Sequence, residues 1–169
     1  PENNQLLFRL KHPPGGNKDS LYQGITLAIE AGHGGENTGA IGLSGLLEKD
    51  INLDVAKKLE KIAESHGMQV LQVRPDDRYM DLTSKRRAVE SSDAHLLVSI
   101  HANASGGRYG YLGVNGASTY YNNPFWADFA SMVNEKLLEL ELNEFGTVGS
   151  FNYRVIRMPS RPAILVEQA

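Results

Sequence analysis

The sequence predicts an α/β domain in which a mainly parallel sheet lies between helical layers. Short apolar runs rich in β-branched residues alternate along the chain with segments whose apolar residues recur at helical spacing. The length of 169 residues suits one domain, and the hydrophobic fraction of 41% is close to the average for globular proteins. Alternating strands and helices on this scale are typical of a three-layer α/β/α sandwich.

A lead-in segment precedes the predicted domain. Residues 1–24 contain one possible edge strand, Leu6–Leu10, and then a turn or linker rich in proline and glycine. We expect the domain itself to span residues 25–169. Because the chain starts at Pro1 without a methionine or a basic and apolar leader, we interpret it as a mature or excised piece of a protein.

The first predicted strand, Ile25–Ile29, ends at a glycine-rich loop over residues 32–45. A helix should follow this loop, with Asp50 as its N-cap and Gly67 at its end. The apolar residues of this helix recur at the spacing of one helical face: Ile51, Val55, Leu59 and Ile62.

The remaining elements continue the alternation. A second helix is predicted over about residues 82–92, between strand-like runs at Gln69–Val73 and Leu96–Ile100. Three further strand-like runs follow: Ala117–Tyr121, Tyr153–Arg157 and Ala163–Val166. Asn123 and Pro124 form an N-cap and first-turn pair that should open a third helix. Its core face is expected to contain Phe125, Phe129, Met132, Val133, Leu137 and Leu140.

Composition excludes several classes of function. The formal net charge of −3 argues against a nucleic-acid partner, because such binding depends on neutralising phosphates with lysine and arginine. No run approaches the roughly 18 apolar residues of a membrane span. The absence of cysteine excludes disulfides, thiol nucleophiles and zinc sites built from thiolates.

Three of the strand-like runs end in a side chain that can bind a metal or move a proton. His33, His101 and Glu167 stand at or just beyond these ends. In open parallel sheets the ligand site lies outside the carboxyl ends of the strands, so parallel neighbours would bring the three together. The loop after His33 adds Glu48. Two imidazoles and one carboxylate with an open fourth position form a common catalytic zinc site, and a second carboxylate can then act as general base.

Five short motifs occur in order between about residues 25 and 169: Gly32-His33-Gly34-Gly35, Gly39-Ala40-Ile41-Gly42, Gly45-Leu46-Leu47-Glu48-Lys49-Asp50-Ile51-Asn52-Leu53, Ser99-Ile100-His101-Ala102-Asn103 and Pro162-Ala163-Ile164-Leu165-Val166-Glu167. In this order they resemble the zinc-dependent N-acetylmuramoyl-L-alanine amidases of bacterial cell walls, the amidase-3 family. The resemblance implies that His33, Glu48 and His101 are ligands of Zn²⁺ and that Glu167 is the catalytic glutamate.

The same resemblance implies a single α/β/α sandwich that hydrolyses the amide between N-acetylmuramic acid and the L-alanine of peptidoglycan. The expected partner is peptidoglycan or a muropeptide, without nucleic acid or a membrane span, and the protein is expected to be a periplasmic or extracellular monomer. Two alternatives stay open. One is a zinc endopeptidase or carboxypeptidase acting on the stem peptide, and the other is a catalytically inactive module that binds the cell wall.

Three further expectations concern the end of the chain, access to the active site and contacts with the substrate. A closing helix follows the last motif in the family, whereas this chain stops at Ala169, so we expect a domain without its C-terminal helix. Neither the short connection at Asn122–Pro124 nor the glycine-rich stretch Ala104–Gly116 has the pattern of an inhibitory helix, which predicts an open active site. Because stem peptides are anionic, arginines are expected to contact them, and the candidates are Arg108, Arg154, Arg157 and Arg161.

Overall fold

The computed structural model describes residues 21–103 and 116–168. The predicted strand Leu6–Leu10 and nearly all of the Ala104–Gly116 connection, including Arg108, lie outside these residues. The described residues form six strands: β1 (Thr26–Ala31), β2 (Gln69–Gln72), β3 (Leu96–His101), β4 (Ala117–Tyr121), β5 (Glu144–Gly149) and β6 (Ala163–Glu167). They also form three α-helices: α1 (Glu48–Ser65), α2 (Leu82–Glu90) and α3 (Ala127–Leu138).

The six strands form one mixed sheet in the order β2-β1-β3-β6-β4-β5. Four neighbouring strands, β2, β1, β3 and β6, are parallel. β4 runs antiparallel to β6 and parallel to the edge strand β5. The prediction of a mainly parallel sheet is therefore confirmed, and the parallel part contains every strand whose end the sequence analysis assigned to the site.

Helical elements cover both faces of this sheet. On one face α2 and a short 3₁₀ turn, Arg154–Ile156, pack over Leu97 and Leu165. On the other face α1 covers the β1 side of the sheet and α3 covers the β6 side. Successive residues of β1 alternate between the two cores, as the pleat of a strand requires. The predicted three-layer α/β/α sandwich is confirmed, and within the two described ranges no helix has the length and apolarity to cross a membrane.

Helix α1 begins two residues before the predicted cap. Its N-cap is Leu47, and Asp50 lies within the first turn. The reason is a tertiary contact: Leu47 pairs with Ile41 in an isolated β-bridge, and the amide of Glu48 donates to the carbonyl of Ala40 at 2.9 Å. This folding-back of the glycine-rich loop sets the start of the helix and places Glu48 at its N-terminus.

Two elements on the β4 side of the sheet differ from the prediction. Tyr153–Arg157 is not a strand, because Arg154–Ile156 forms a 3₁₀ turn whose Val155 and Ile156 are buried under α2. β5 had no counterpart among the predicted strands. It is a partly exposed edge strand with two glycines, so its sequence lacks the apolar alternation that marks a half-buried strand.

Helix α3 begins later than predicted. Asn123 caps a 3₁₀ turn, Pro124–Trp126, by accepting a hydrogen bond from the amide of Phe125 at 3.1 Å, and the α-helix follows at Ala127. Three residues of the expected core face pack against β6: Phe129, Val133 and Leu137. The other three are exposed, which corrects that part of the prediction: Phe125, Met132 and Leu140.

Arg161 does not line a groove, contrary to the expectation that it contacts substrate. Its side chain is 2% exposed, and its guanidinium donates to the carbonyls of Val89 at 2.7 Å and Ala94 at 2.8 Å, with a longer contact to Glu90. These carbonyls belong to the last turn of α2 and the connection that follows it. Arg161 therefore caps the C-terminus of α2, where a cation is favourable.

We predict that Arg161→Ala lowers the free energy of unfolding by about 3 kcal/mol, because buried carbonyls lose a charged donor. Urea unfolding monitored by circular dichroism measures this change. Lys58→Ala is the matched control, since Lys58 is an exposed cation paired with Asp54 and should change stability by less than about 0.5 kcal/mol. Equal unfolding midpoints for the two variants would contradict the capping role.

Candidate metal centre and active site

Three parallel strands end at the same edge of the sheet, and each delivers one side chain to it. β1, β3 and β6 are adjacent in the sheet. His101 is the last residue of β3, Glu167 is the last residue of β6, and the two are register partners. His33 lies two residues beyond the end of β1. The topology thus brings His33, His101 and Glu167 together in the way that parallel strand ends require.

A tight loop sets the orientation of the His33 ring. His33 has a φ of 61°, a left-handed conformation that costs a non-glycine residue about 1–3 kcal/mol. Gly34 follows with a positive φ of its own and exchanges two backbone hydrogen bonds with Asn37. The Asn37 Oδ1 lies 3.0 Å from His33 Nδ1. Because an amide oxygen only accepts, Nδ1 donates to Asn37, and Nε2 is the ring nitrogen that faces Glu48 and binds a metal once it has lost its proton.

Glu48 is buried at the N-terminus of α1, with 5% of its surface exposed. Its Oε2 accepts a hydrogen bond from the amide of Ala40 at 2.8 Å, and its Oε1 accepts from the amide of Ala102 and the side chain of Asn52, each at 3.2 Å. Burial alone would raise the pKa of Glu48, but hydrogen bonds from His101, His33 and Ala40 hold it well below its ordinary value. The side chain is therefore an ionised carboxylate held in place from several sides.

The three predicted ligands form one compact cluster. Glu48 Oε1 lies 3.0 Å from His33 Nε2 and 3.0 Å from His101 Nδ1. One ligand atom from each residue lies within 4.8 Å of the others. Imidazole nitrogens and a carboxylate oxygen suit zinc, and three protein ligands leave a fourth position open. The residues present therefore fit a catalytic zinc ion.

Glu167 borders this cluster without joining it. The side chain is 8% exposed, and its Oε2 is buried without a hydrogen-bond partner among the described residues. Burial raises the pKa of Glu167 to about 7, and the negative charge of Glu48 acts in the same direction. A buried carboxylate oxygen without a partner costs free energy, which distinguishes Glu167 from the well-partnered Glu48. A pKa near neutrality suits a group that both takes up and releases a proton.

A buried ion pair lies behind the cluster, and the sequence analysis did not find it. Lys85 of α2 donates to Glu30 Oε1 at 2.6 Å and to the carbonyl of His33 at 3.0 Å, while the hydroxyl of Ser99 donates to Glu30 Oε2. The same Oε2 lies 3.9 Å from His101 Nε2. The pair therefore fixes the strained backbone of His33 and places a carboxylate beside the outer nitrogen of His101. The sequence feature that could have revealed this ion pair is Glu30, a carboxylate within the mostly apolar strand β1.

Arg74 also supports the site from a buried position. It follows β2 and donates to the carbonyls of Ala31 at 3.1 Å, Gly32 at 3.0 Å and Lys49 at 2.9 Å. These contacts connect the end of β1 to the first turn of α1. Arg74 thus holds the segment that carries His33 against the helix that carries Glu48, and nothing in its local sequence distinguishes it from a surface arginine.

Two glycines leave room for the ligand side chains. A Cβ atom on Gly32 would lie 2.4 Å from His101 Cε1, and one on Gly39 would lie 2.4 Å from Glu48 Oε2. These distances are shorter than van der Waals contact. A side chain at Gly32 would displace the His101 ring, and one at Gly39 would displace the Glu48 carboxylate.

Together the fold and the cluster define a class of protein, an α/β domain that can hold a metal ion at the carboxyl edge of a parallel sheet. The family model described as N-acetylmuramoyl-L-alanine amidase (Amidase_3) matches residues 27–169. The chain belongs to this family, as the motifs in its sequence indicated.

Individual relatives agree with this assignment. The N-acetylmuramoyl-L-alanine amidase LytC of Bacillus subtilis (strain 168) is 33% identical over 150 residues, which cover 86% of this chain. The match spans only 29% of LytC, so the chain corresponds to less than a third of that relative.

Solved structures are similar over most of the chain. The catalytic domain of CwlV, an N-acetylmuramoyl-L-alanine amidase from Bacillus (Paenibacillus) polymyxa var. colistinus, has a TM-score of 0.76 and 33% identity. That match covers 85% of this chain and 79% of CwlV. The amidase AmiC2 of Nostoc punctiforme has a TM-score of 0.75 and 36% identity, covering 85% of this chain and 78% of its own.

We predict that Gly32→Ala weakens zinc binding by at least about tenfold, because the new methyl group displaces the His101 ring from Glu48. Competition with a chromophoric chelator measures the affinity. Gly42→Ala is the matched control, since its nearest neighbour would lie at 3.6 Å and its backbone is not left-handed. Similar zinc affinities for the two variants would show that the close approach of Gly32 to His101 does not constrain the site.

Proposed function

We propose that this protein is a zinc-dependent amidase that hydrolyses the bond between N-acetylmuramic acid and L-alanine in peptidoglycan. The observation that carries the proposal is the convergence of His33, Glu48 and His101 beside the unpartnered carboxylate oxygen of Glu167. Membership of the amidase family supports the choice of substrate bond.

His33, Glu48 and His101 would hold the zinc ion through Nε2, a carboxylate oxygen and Nδ1. Zinc bound there would polarise the scissile carbonyl and lower the pKa of a water molecule toward about 7. Asn37 keeps the proton of His33 on Nδ1, and Glu30 faces the outer nitrogen of His101. The contact with Asn37 holds the His33 ring in the orientation and tautomer that a metal requires, and the carboxylate of Glu30 places a negative charge 3.9 Å from His101 Nε2.

Glu167 is proposed as the general base and acid. Its carboxylate takes a proton from the attacking water and later delivers it to the nitrogen of the departing L-alanine. The buried position of Oε2 keeps bulk water from solvating the carboxylate, which raises its proton affinity. The ladder between β3 and β6 fixes the backbone of Glu167 beside that of His101, so the base and one metal ligand share a rigid support.

The proposed substrate defines where the protein works. Peptidoglycan lies in the cell envelope, so we propose a periplasmic or extracellular location. The protein would act there as a monomer, because all four site residues come from one chain.

Mass analysis of digested peptidoglycan tests the proposed bond specificity. An amidase releases intact stem peptides and glycan with a free lactyl group. Shortened peptides that remain attached to the glycan would identify a zinc peptidase instead. Binding to peptidoglycan without any product would identify an inactive wall-binding module. Loss of product formation on chelation and its return with added zinc would establish the metal requirement.

We predict that Glu167→Gln keeps stoichiometric zinc but lowers turnover by about 10²–10⁴-fold, since the amide cannot accept the proton. Glu48→Ala should lose both zinc and activity, because its carboxylate is a ligand and the common acceptor of both imidazoles. Elemental analysis of the purified proteins and a peptide-release assay measure the two effects.

Glu64→Gln is the control for loss of a carboxylate, since Glu64 is exposed on α1 and should leave zinc content and turnover at the parent level. Near-normal turnover in Glu167→Gln with full zinc occupancy would refute the role assigned to Glu167. Stoichiometric zinc in Glu48→Ala would likewise refute the ligand assignment.

A further inference from the structure

A cleft lined by four arginines lies between α2 and the 3₁₀ turn Arg154–Ile156. It has a volume of about 420 Å³. Its guanidinium groups come from two distant parts of the sequence, Arg86 and Arg87 on α2 and Arg154 and Arg157 at the turn. None of these residues belongs to the metal cluster. We call this feature the arginine cleft.

The arginine cleft is strongly cationic in a chain whose net charge is −3. Glu90 is the acidic residue that lines it, and its carboxylate pairs with Arg86 at 2.9 Å. Among the described residues, no carboxylate forms an ion pair with Arg87, Arg154 or Arg157. The lining therefore carries a net charge of about +3. Its guanidinium groups repel one another, because salt screens charges only beyond a Debye length of about 8 Å.

The two walls of the cleft are held by the core. Val89 of α2 packs in one apolar cluster with Val155 and Ile156 of the turn, all of them buried. The backbone segments that carry the arginines are therefore fixed by core packing, so ligand binding would not require a loop to become ordered. A fixed cluster of guanidinium groups is suited to planar anions, which arginine binds through two parallel hydrogen bonds.

The helix that forms one wall of the cleft also supports the metal site. Lys85 points inward from α2 and donates to the carbonyl of His33, whereas its neighbours Arg86 and Arg87 line the cleft. The cleft and the metal site are therefore both built on α2. In the proposed substrate, the anionic groups are the carboxylates of stem peptides.

We propose that the arginine cleft binds carboxylates of peptidoglycan stem peptides, outside the position where the amide is cut. This proposal rests on the proposed function for the identity of the ligand. It assigns Arg87 and Arg154 as the principal contacts, because Arg86 is paired with Glu90 and Arg157 donates to the carbonyl of Phe151. The cleft retains the enzyme on peptide-rich wall material.

Co-sedimentation with purified peptidoglycan sacculi, stripped of other wall polymers, tests this proposal. All variants carry Glu167→Gln, so that binding is measured without cleavage. Arg87→Glu combined with Arg154→Glu should weaken binding by about tenfold or more, and the difference should shrink as salt rises. The control combines Lys57→Glu with Lys61→Glu on exposed positions of α1, which makes the same change in net charge on the opposite face of the sheet. It should weaken binding less than threefold or so.

Chemistry on the sacculi identifies the ligand group. Converting the peptide carboxylates to amides should remove the difference between the parent and the cleft variant. A difference that survives amidation, or one that requires teichoic acid on the sacculi, would overturn the assignment to stem-peptide carboxylates. Equal losses for the cleft and control variants would overturn the site itself.

Thermal melting checks that the variants are folded. A milder variant, Arg87→Gln combined with Arg154→Gln, serves as a second control and should give an intermediate loss of binding. These results are separable from the proposed function, which depends on the products of the parent enzyme. Cleavage of the amide by the protein with Glu167 intact, together with normal binding of sacculi by the cleft variant, would refute only the cleft. Absence of product from the protein with Glu167 intact, together with loss of binding in the cleft variant, would refute only the catalytic proposal.

Discussion

The site depends on the hydrogen bonds that the buried carboxylate of Glu48 accepts. This carboxylate accepts hydrogen bonds from both imidazoles of the cluster and from backbone amides at Ala40 and Ala102. These donors come from the ends of two strands and from the glycine-rich loop, so one buried side chain joins segments that are distant in sequence. The early start of α1 follows from the same folding-back of the loop. Two buried cations, Lys85 and Arg74, then fix the backbone around it.

Two carboxylates in one site acquire opposite properties from their surroundings. Glu48 is surrounded by donors, which stabilise its ionised form and lower its pKa, as a metal ligand requires. Glu167 is buried with one oxygen unpartnered, and its pKa is raised to about 7, as a proton-transfer group requires. Pairs of acids whose environments separate their pKa values in this way are typical of acid–base sites. The surroundings of the two glutamates are thus consistent with the different roles that the sequence analysis expected for them.

The local sequence pattern correctly predicted the strands that are buried in the sheet. β4 lies where its apolar and β-branched run indicated, and the parallel order of β1, β3 and β6 follows from their alternation with helices. Failures occur where tertiary contacts outweigh local preference. Val155 and Ile156 are apolar enough for a strand but are buried in a 3₁₀ turn under α2. β5 pairs only at the sheet edge, so its sequence needs no apolar face.

The sequence by itself determined that His33, His101 and Glu167 stand at or just beyond the ends of strands, and the structure showed that these strands are parallel neighbours, whose carboxyl ends must lie on one edge. The loop after His33 offered Glu48 as a further carboxylate, and the resemblance to the amidase family implied its role as a ligand. Only the tertiary structure revealed that Lys85 is buried against Glu30 and that Arg161 caps α2, since such charges look like surface residues in the sequence. A buried cation is stable only beside acceptors from distant segments, and those neighbours exist only once the chain has folded.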